Sequence, residues 1–572
     1  MKNSKSIIRL LTLILIFGTI QSKAINDSKE VKDSLKPKID AMVSQMGLSK
    51  ETPGGIVGIM KDGQLIFKQA YGVSNFESKE LNTTSTLFNL GSVSKQFTAA
   101  AILLLEREGK LSLKDNIRKY LPDFPDYGHP VSIENLIHHT SGVKSYDVLQ
   151  LMAGKSIENK DTMEEIYNLI INQRSLNNQP NAEYIYSNSG YILLAKIVEK
   201  ASGKTFSQYV EEKLLRAIGM NQSFIYDSRD KINKKSATPH QPDTNHKFKI
   251  VDDLDILTFG ESNVFTTIDD YLLWDNNFYQ NKLGEWDFNK AMTSQVTLTN
   301  GDTCHYAFGL NKSLYKGLTT ISHQGGTLGF STQYIQIPSE RLSVVCMFNV
   351  HTNVTNLAYQ IIDLFIEGET KQDETTTQLK KARVDSTILH NYAGRYICET
   401  DWFGINISQE SDHLIYEDAG NNRFEIYPSS NISFFVDFAD LTFNFKKNKK
   451  GETKGLTLLQ GNEIYNFTYC GTDTPSIKQE QLLQYIGDFY CKDIDITYPV
   501  ILKDKKLHIK FPELTAHYCG INVETELIYE YGDCFTSPIS SLKFIRNNQD
   551  EISGFIIKDL GRVRNLVFKK LE

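Results

Sequence analysis

Apolar positions recur first at helical spacing. Val31, Leu35, Ile39, Met42, Val43 and Met46 form one stripe, which predicts a helix from about Ser28 to Met46. Two strand-like runs follow, Gly55 to Met60 and Gln64 to Tyr71, joined by Lys61-Asp62-Gly63; Asp-Gly between apolar runs predicts a hairpin. The unbroken stretch Ala99 to Leu105, all helix formers, predicts a rigid buried helix ending near Gly109. A short helix closed by Gly142 is expected between Val131 and Val143, and another from Ile192 to Lys200 stopped by Gly203. Thr332 to Ile337 and Leu342 to Asn349, separated by Pro338-Ser339-Glu340, predict a second hairpin, and Val354 to Ile366 a closing helix.

Beyond this point the pattern changes. Residues 369–385 are polar and read as a linker. An internal repeat then begins: Tyr392-Ala393-Gly394-Arg395-Tyr396 and Tyr485-Ile486-Gly487-Asp488-Phe489-Tyr490 are matching starts 93 residues apart. Each is followed by short alternating strands, so 386–473 and 480–572 are each expected to form a small antiparallel β-barrel. The chain as a whole is thus expected to be α+β, with a mixed domain over 25–368 preceding the two barrels.

Length and charge narrow the function. A chain of 572 residues exceeds one core, and 31 Phe with 28 Tyr in a 40% hydrophobic composition describe a globular, β-containing protein. The net charge of −7 without a long basic block argues against nucleic acid as a partner. Residues 1–24 read as a signal peptide: Lys2, Lys5 and Arg9 precede the apolar segment Leu10 to Ile20, and Ser22-Lys23-Ala24 supplies small residues at a cleavage site. Export to the periplasm or outside the cell is therefore expected, and no later apolar run is long enough to span a bilayer. The seven cysteines show neither metal-ligand spacing nor a dense disulfide framework. Adjacent His138 and His139 point to different helical faces, which favours structural roles over metal binding, and no cofactor is expected.

The candidate chemistry centres on Gly91-Ser92-Val93-Ser94-Lys95. On a helix, Lys95 shares a face with Ser92, so its amine can take the hydroxyl proton while helix N-terminal amides stabilise an oxyanion. Ser-x-x-Lys also occurs at Ser141/Lys144, Ser228/Lys231, Ser313/Lys316 and Ser540/Lys543; only Ser92 opens a long apolar helix that would hold both side chains rigid. Tyr186 and Asn188, two apart ahead of a helix, can face one cleft. There Tyr186, its pKa lowered by the Lys95 ammonium, would share in proton transfer, and Asn188 would hold a substrate carbonyl or orient Lys95. A tight turn with a buried tyrosine is the competing reading. The third stretch, His323-Gln324-Gly325-Gly326, lies between strand-like runs, where glycines let an edge strand approach a ligand closely.

Ser-x-x-Lys, Tyr-x-Asn and His-x-Gly in this order resemble the penicillin-recognising serine hydrolases: serine β-lactamases, D-Ala-D-Ala carboxypeptidases, D-aminopeptidases and related esterases. The likeness runs from about Thr52 to Gly368. It implies a β-lactamase-like domain, with an antiparallel sheet flanked by helices plus a helical subdomain. It implies Ser92 as acyl-forming nucleophile, Lys95 and Tyr186 as proton partners, Asn188 as a substrate contact and His323 with Gly325 lining the edge strand. The oxyanion hole would come from the amides of Ser92 and Gly326. With two lipocalin-like barrels the architecture is similar to that of the D-aminopeptidases, where barrels shape the cleft and support homo-oligomers; barrels that act only as spacers are the alternative. His323 replaces the lysine of the third motif and would hold a substrate carboxylate only when protonated, so β-lactamase activity is expected to be weak or absent. The resemblance therefore implies metal-independent cleavage of an amide in small or D-residue-containing peptides. An esterase or amidase, or a penicillin- or peptide-binding protein without turnover, remains open.

Overall fold

Six antiparallel strands form the central sheet in the computed structural model, which describes residues 33–155, 162–242, 247–251, 257–366, 381–418, 422–436, 439–460, 463–473 and 475–572. The strands are β1 (Gly55–Lys61), β2 (Gln64–Tyr71), β3 (Asn311–Tyr315), β4 (Leu318–Gly326), β5 (Ser331–Ile337) and β6 (Leu342–Phe348), in the spatial order β3-β4-β5-β6-β1-β2. Strand β6, Leu-Ser-Val-Val-Cys-Met-Phe, is buried along its whole length because the sheet is covered on both faces. On one face Val57, Ile59, Val344 and Cys346 meet Leu35, Ile39 and Val43 of helix α1 (33–45). On the other, Ile56, Met60, Val345 and Met347 meet Val93 and Phe97 at the start of helix α2 (Lys95–Arg107). Successive side chains of a strand point to opposite faces, so each strand feeds both helical layers.

Three more helices position the site. Helix α3 (Tyr146–Met152) links the mixed domain to the second barrel. Helix α4 (Asn188–Ser202) packs on α2 and ends at Gly203, whose φ of +72° is the left-handed stop that glycine accepts without strain. Helix α5 (Val354–Ile362) closes the outer layer, four residues shorter than the expected run to Ile366. Around the buried α2, Ala99, Ala100 and Ala101 sit in the core without exposure, and their small side chains allow close helix contact.

After residue 380 the chain forms two barrels. Eight strands from Gly394–Cys398 to Glu463–Tyr469 run in sequence order, and the first pairs with the last, giving a closed barrel. Its interior is packed with rings; Tyr392 stacks on Phe445 at 4.2 Å. Nine strands from Gly487–Cys491 to Arg564–Lys570 make a second, nearly closed barrel. The internal repeat maps the two starts on each other: Tyr392 and Tyr485 end equivalent turns, and Gly394 and Gly487 open equivalent first strands at φ +146° and +151°. The signal-peptide reading over 1–24 lies outside the described residues, as do residues 369–380 of the linker. Its last residues pack on the first barrel, where the Ala382 amide donates to the Pro428 carbonyl at 2.7 Å.

The second barrel is docked onto the mixed domain. Leu149 and Met152 of α3 belong to its core, and the Thr515 hydroxyl donates to the Leu151 carbonyl at 2.6 Å. The two barrels are joined by an ion pair between Arg395 and Glu530, whose side chains are 10% and 1% exposed.

Candidate active site

Ser92 lies in a tight helical turn, Gly91–Ser94, that feeds directly into α2. The turn is anchored from both sides: the Gly91 amide donates to Asn89 Oδ1 at 2.9 Å, and Ser94 Oγ accepts from the Val264 amide at 3.0 Å. The end of β4 crosses it backbone against backbone. A Cβ on Gly325 would stand 2.1 Å from the Leu90 carbonyl oxygen and 3.2 Å from the Ser92 nitrogen. A Cβ on Gly91, itself at φ +52°, would stand 2.7 Å from the Gly326 nitrogen. Only glycine permits this approach, which brings the amides of Ser92 and Gly326 onto facing segments. At Gly326 a Cβ would meet nothing within 4 Å, so this position faces open space. Strand β4 pairs with β3 only as far as Ser322, which leaves His323 to Gly326 as an edge beyond β3.

Lys95 is buried, and its Nζ donates three hydrogen bonds: to Ser92 Oγ at 3.1 Å, Asn188 Oδ1 at 2.9 Å and the Glu261 carbonyl at 2.8 Å. Burial pulls its pKa down to about 7, with the Glu261 charge opposing and the Arg562 charge assisting. Near neutral pH a substantial fraction of Lys95 is therefore uncharged and able to accept the Ser92 proton. Asn188 is held in turn through its amide, which donates to Ser145 Oγ at 2.9 Å. Tyr186 completes the group, with Lys95 Nζ 4.9 Å from its ring centroid.

Two expectations change here. Burial raises the Tyr186 pKa, and the nearby Ser92 hydroxyl and Arg562 charge oppose this only in part, so the phenol keeps its proton rather than ionising early. The reason is desolvation: excluding water from around the phenol penalises its charged form. His323 also departs from its expected part as a carboxylate grip. It is buried between Tyr306, whose hydroxyl lies 2.8 Å from Nε2, and the Gln324 carbonyl, 2.6 Å from Nδ1. Desolvation and the Lys95 charge lower its pKa to about 3, so it is neutral at ordinary pH. It braces the ring cluster beneath Tyr186, 6.3 Å away between centroids.

Around this group stand two histidines read from the sequence as structural and an arginine that the sequence did not single out. His139, at φ +57°, packs on the Tyr186 ring at 4.2 Å and accepts the Ser187 amide at 3.1 Å, while His138 contacts the Tyr306 carbonyl at 2.8 Å. Both serve as framework groups through these contacts. Arg562 arrives from the second barrel, in the hairpin between Ile552–Asp559 and Arg564–Lys570, with its guanidinium 4.7 Å from the Tyr186 ring centroid. Nothing in its local sequence marks it, since its position depends on how the barrel docks.

Ser92, Lys95, Tyr186, Asn188, Gly325 and Gly326 thus lie close together at the crossing of β4 and the start of α2. The chain is 29% identical to penicillin-binding protein 4* of Bacillus subtilis over 424 residues, covering 71% of this chain and 92% of that protein. It is 26% identical to a D-aminopeptidase of Gluconobacter oxydans over 349 residues, covering 61% and 65% of the two chains. The fold is shared with the octameric penicillin-binding protein homologue from Pyrococcus abyssi, with a TM-score of 0.54 at 20% identity over 76% of this chain and 99% of that one. The beta-lactamase family model matches residues 39–364, more than half of the sequence, and the chain belongs to the beta-lactamase family.

Proposed function

We infer that the protein is a serine hydrolase that cleaves an amide bond of small, D-residue-containing peptides through an acyl-enzyme on Ser92. The observation that carries this reading is the contact between a buried lysine with a pKa of about 7 and the Ser92 hydroxyl, 3.1 Å apart. Neutral Lys95 accepts the hydroxyl proton as Ser92 Oγ attacks the substrate carbonyl. The amides of Ser92 and Gly326 receive the developing oxyanion, and Asn188 contacts the substrate. Collapse breaks the C–N bond, and the Lys95 proton passes to the departing amine with the protonated Tyr186 as relay. Water then attacks the acyl-enzyme, Lys95 again takes the proton, and the product acid leaves as Ser92 Oγ regains its hydrogen.

The relatives named D-aminopeptidase support D-residue peptides as the substrate class. We further propose export on the strength of residues 1–24, and a homo-oligomer, for which the octameric Pyrococcus homologue is the support. The test is acylation and turnover. A fluorescent acylating probe should label Ser92 and be released at a steady rate, and Ser92→Ala should abolish hydrolysis of activated esters and D-aminoacyl amides while changing stability by no more than about 1 kcal/mol. Unchanged turnover in Ser92→Ala removes Ser92 from the mechanism; labelling without release makes the protein a binder.

A further inference from the structure

A short peptide with free termini carries charges close to its amide bonds, which a charged group at the site can attract or repel. Lys95 is unavailable for this: it is buried and its three hydrogen bonds go to Ser92, Asn188 and Glu261. His323 is buried, and both its ring nitrogens are engaged by Tyr306 and Gln324. Among the described residues, the cation that remains beside Tyr186 is Arg562, and its side chain is 43% exposed.

The second barrel delivers Arg562 as a fixed group. Its carbonyl accepts from Asn177 Nδ2 at 2.9 Å and from the Ser145 amide at 3.3 Å, and Asn177 Oδ1 accepts from the Arg564 amide at 2.7 Å. Arg564 adds an ion pair to Glu183 at 2.6 Å. Docking of the hairpin therefore runs through backbone and through Arg564, and the Arg562 side chain adds one ion pair, to Asp147 of α3. The guanidinium gives one nitrogen to Asp147 Oδ2 at 3.0 Å; among the described residues its other nitrogens make no hydrogen bond. Asp147 is itself set by Ser145, which also receives the Asn188 amide, so one short network joins the arginine to the second motif. A planar fork with one edge held and the rest open suits a carboxylate.

We propose that Arg562 is a specificity-determining residue that selects peptides bearing a free carboxylate close to the scissile amide. This rests on the hydrolase reading for the scissile bond but not for binding. A free ammonium at the same place is repelled by the same group. The carboxylate can belong to the leaving residue, as a C-terminal α-carboxylate, or to an acidic side chain on the acyl portion.

The experiment measures both binding and turnover on the full chain. Ser92→Ala protein is titrated calorimetrically with two matched pairs: a D-Ala-D-Ala peptide as acid and as C-terminal amide, and a peptide with D-Glu or D-Gln on the acyl side. In at least one pair the acid should bind about tenfold tighter or more, and that pair identifies where the carboxylate sits. The ratio should fall to about one with Arg562→Gln and be partly retained with Arg562→Lys, at an unchanged melting temperature. Wild-type kcat/KM on the same peptides should show the same preference. Equal affinities within both pairs, absent binding, or a ratio that survives Arg562→Gln overturns the proposal. Selective binding without wild-type turnover instead defeats the hydrolase reading and leaves the carboxylate subsite standing. Should Arg562→Gln fold poorly, Arg562→Lys decides, because a docking role would not preserve an acid preference.

Discussion

Lys95 shows how burial makes chemistry out of an ordinary residue. A solvated lysine holds its proton far above neutrality, whereas here desolvation lowers the pKa to about 7 against the opposing Glu261 charge. The base form is the reactive one, so kcat/KM on an activated ester should rise with pH through a midpoint near 7 and lose about tenfold per unit well below it. Tyr186, shifted upward, should impose no fall until above its ordinary value of 10. A stopped-flow or steady-state pH profile measures both limbs; a flat profile between pH 5 and 8, on the order of a threefold change or less, would remove Lys95 as base. Ser92, Lys95, Tyr186 and Asn188 were legible from residue type and spacing. The protonation states of Tyr186 and His323 were not, because they depend on which groups lie around each ring and how far water is excluded.

At the scale of elements, the site is the crossing of β4 over the turn that starts α2. The two are separated by more than two hundred residues yet touch through backbone, at Gly325 against Leu90 and Gly91 against Gly326. Gly325→Ala places a methyl 2.1 Å from the Leu90 carbonyl, where neither partner is a flexible side chain. Strand and turn must separate, and we expect a stability loss of about 1–3 kcal/mol. The displaced amides should lower kcat/KM at least about tenfold. Thermal unfolding and ester kinetics on one preparation test this, and a fully active Gly325→Ala would mean that the close approach is not needed. The hairpins, the buried α2 and the glycine stop of α4 follow from local patterning. The shortening of α5 and the backbone contact do not, since both depend on which surface the element packs against.

For the whole molecule, the barrels are packed with the hydrolase domain into one contact chain. The second barrel takes Leu149 and Met152 into its core and returns Arg562 to the cleft, while the first is tied to the second through Arg395 and Glu530. Removing one member of this buried pair leaves an uncompensated charge. Arg395→Ala should therefore cost about 3–5 kcal/mol in the barrel transition, read by calorimetry or denaturant titration. Ester turnover, which uses none of these groups, should stay within about twofold. An unchanged barrel transition would show that the ion pair does not hold the barrels together.

The sequence by itself determined the elements, the three motifs and the order of domains, because helix period, strand alternation, glycine placement and a 93-residue repeat are local or periodic properties. Tertiary structure alone decided that His323 is neutral, that Tyr186 stays protonated and that an arginine near the end of the chain stands beside the Tyr186 ring. Each of these depends on distances between segments far apart in the chain and on the low dielectric that packing creates, quantities that no stretch of residues carries on its own.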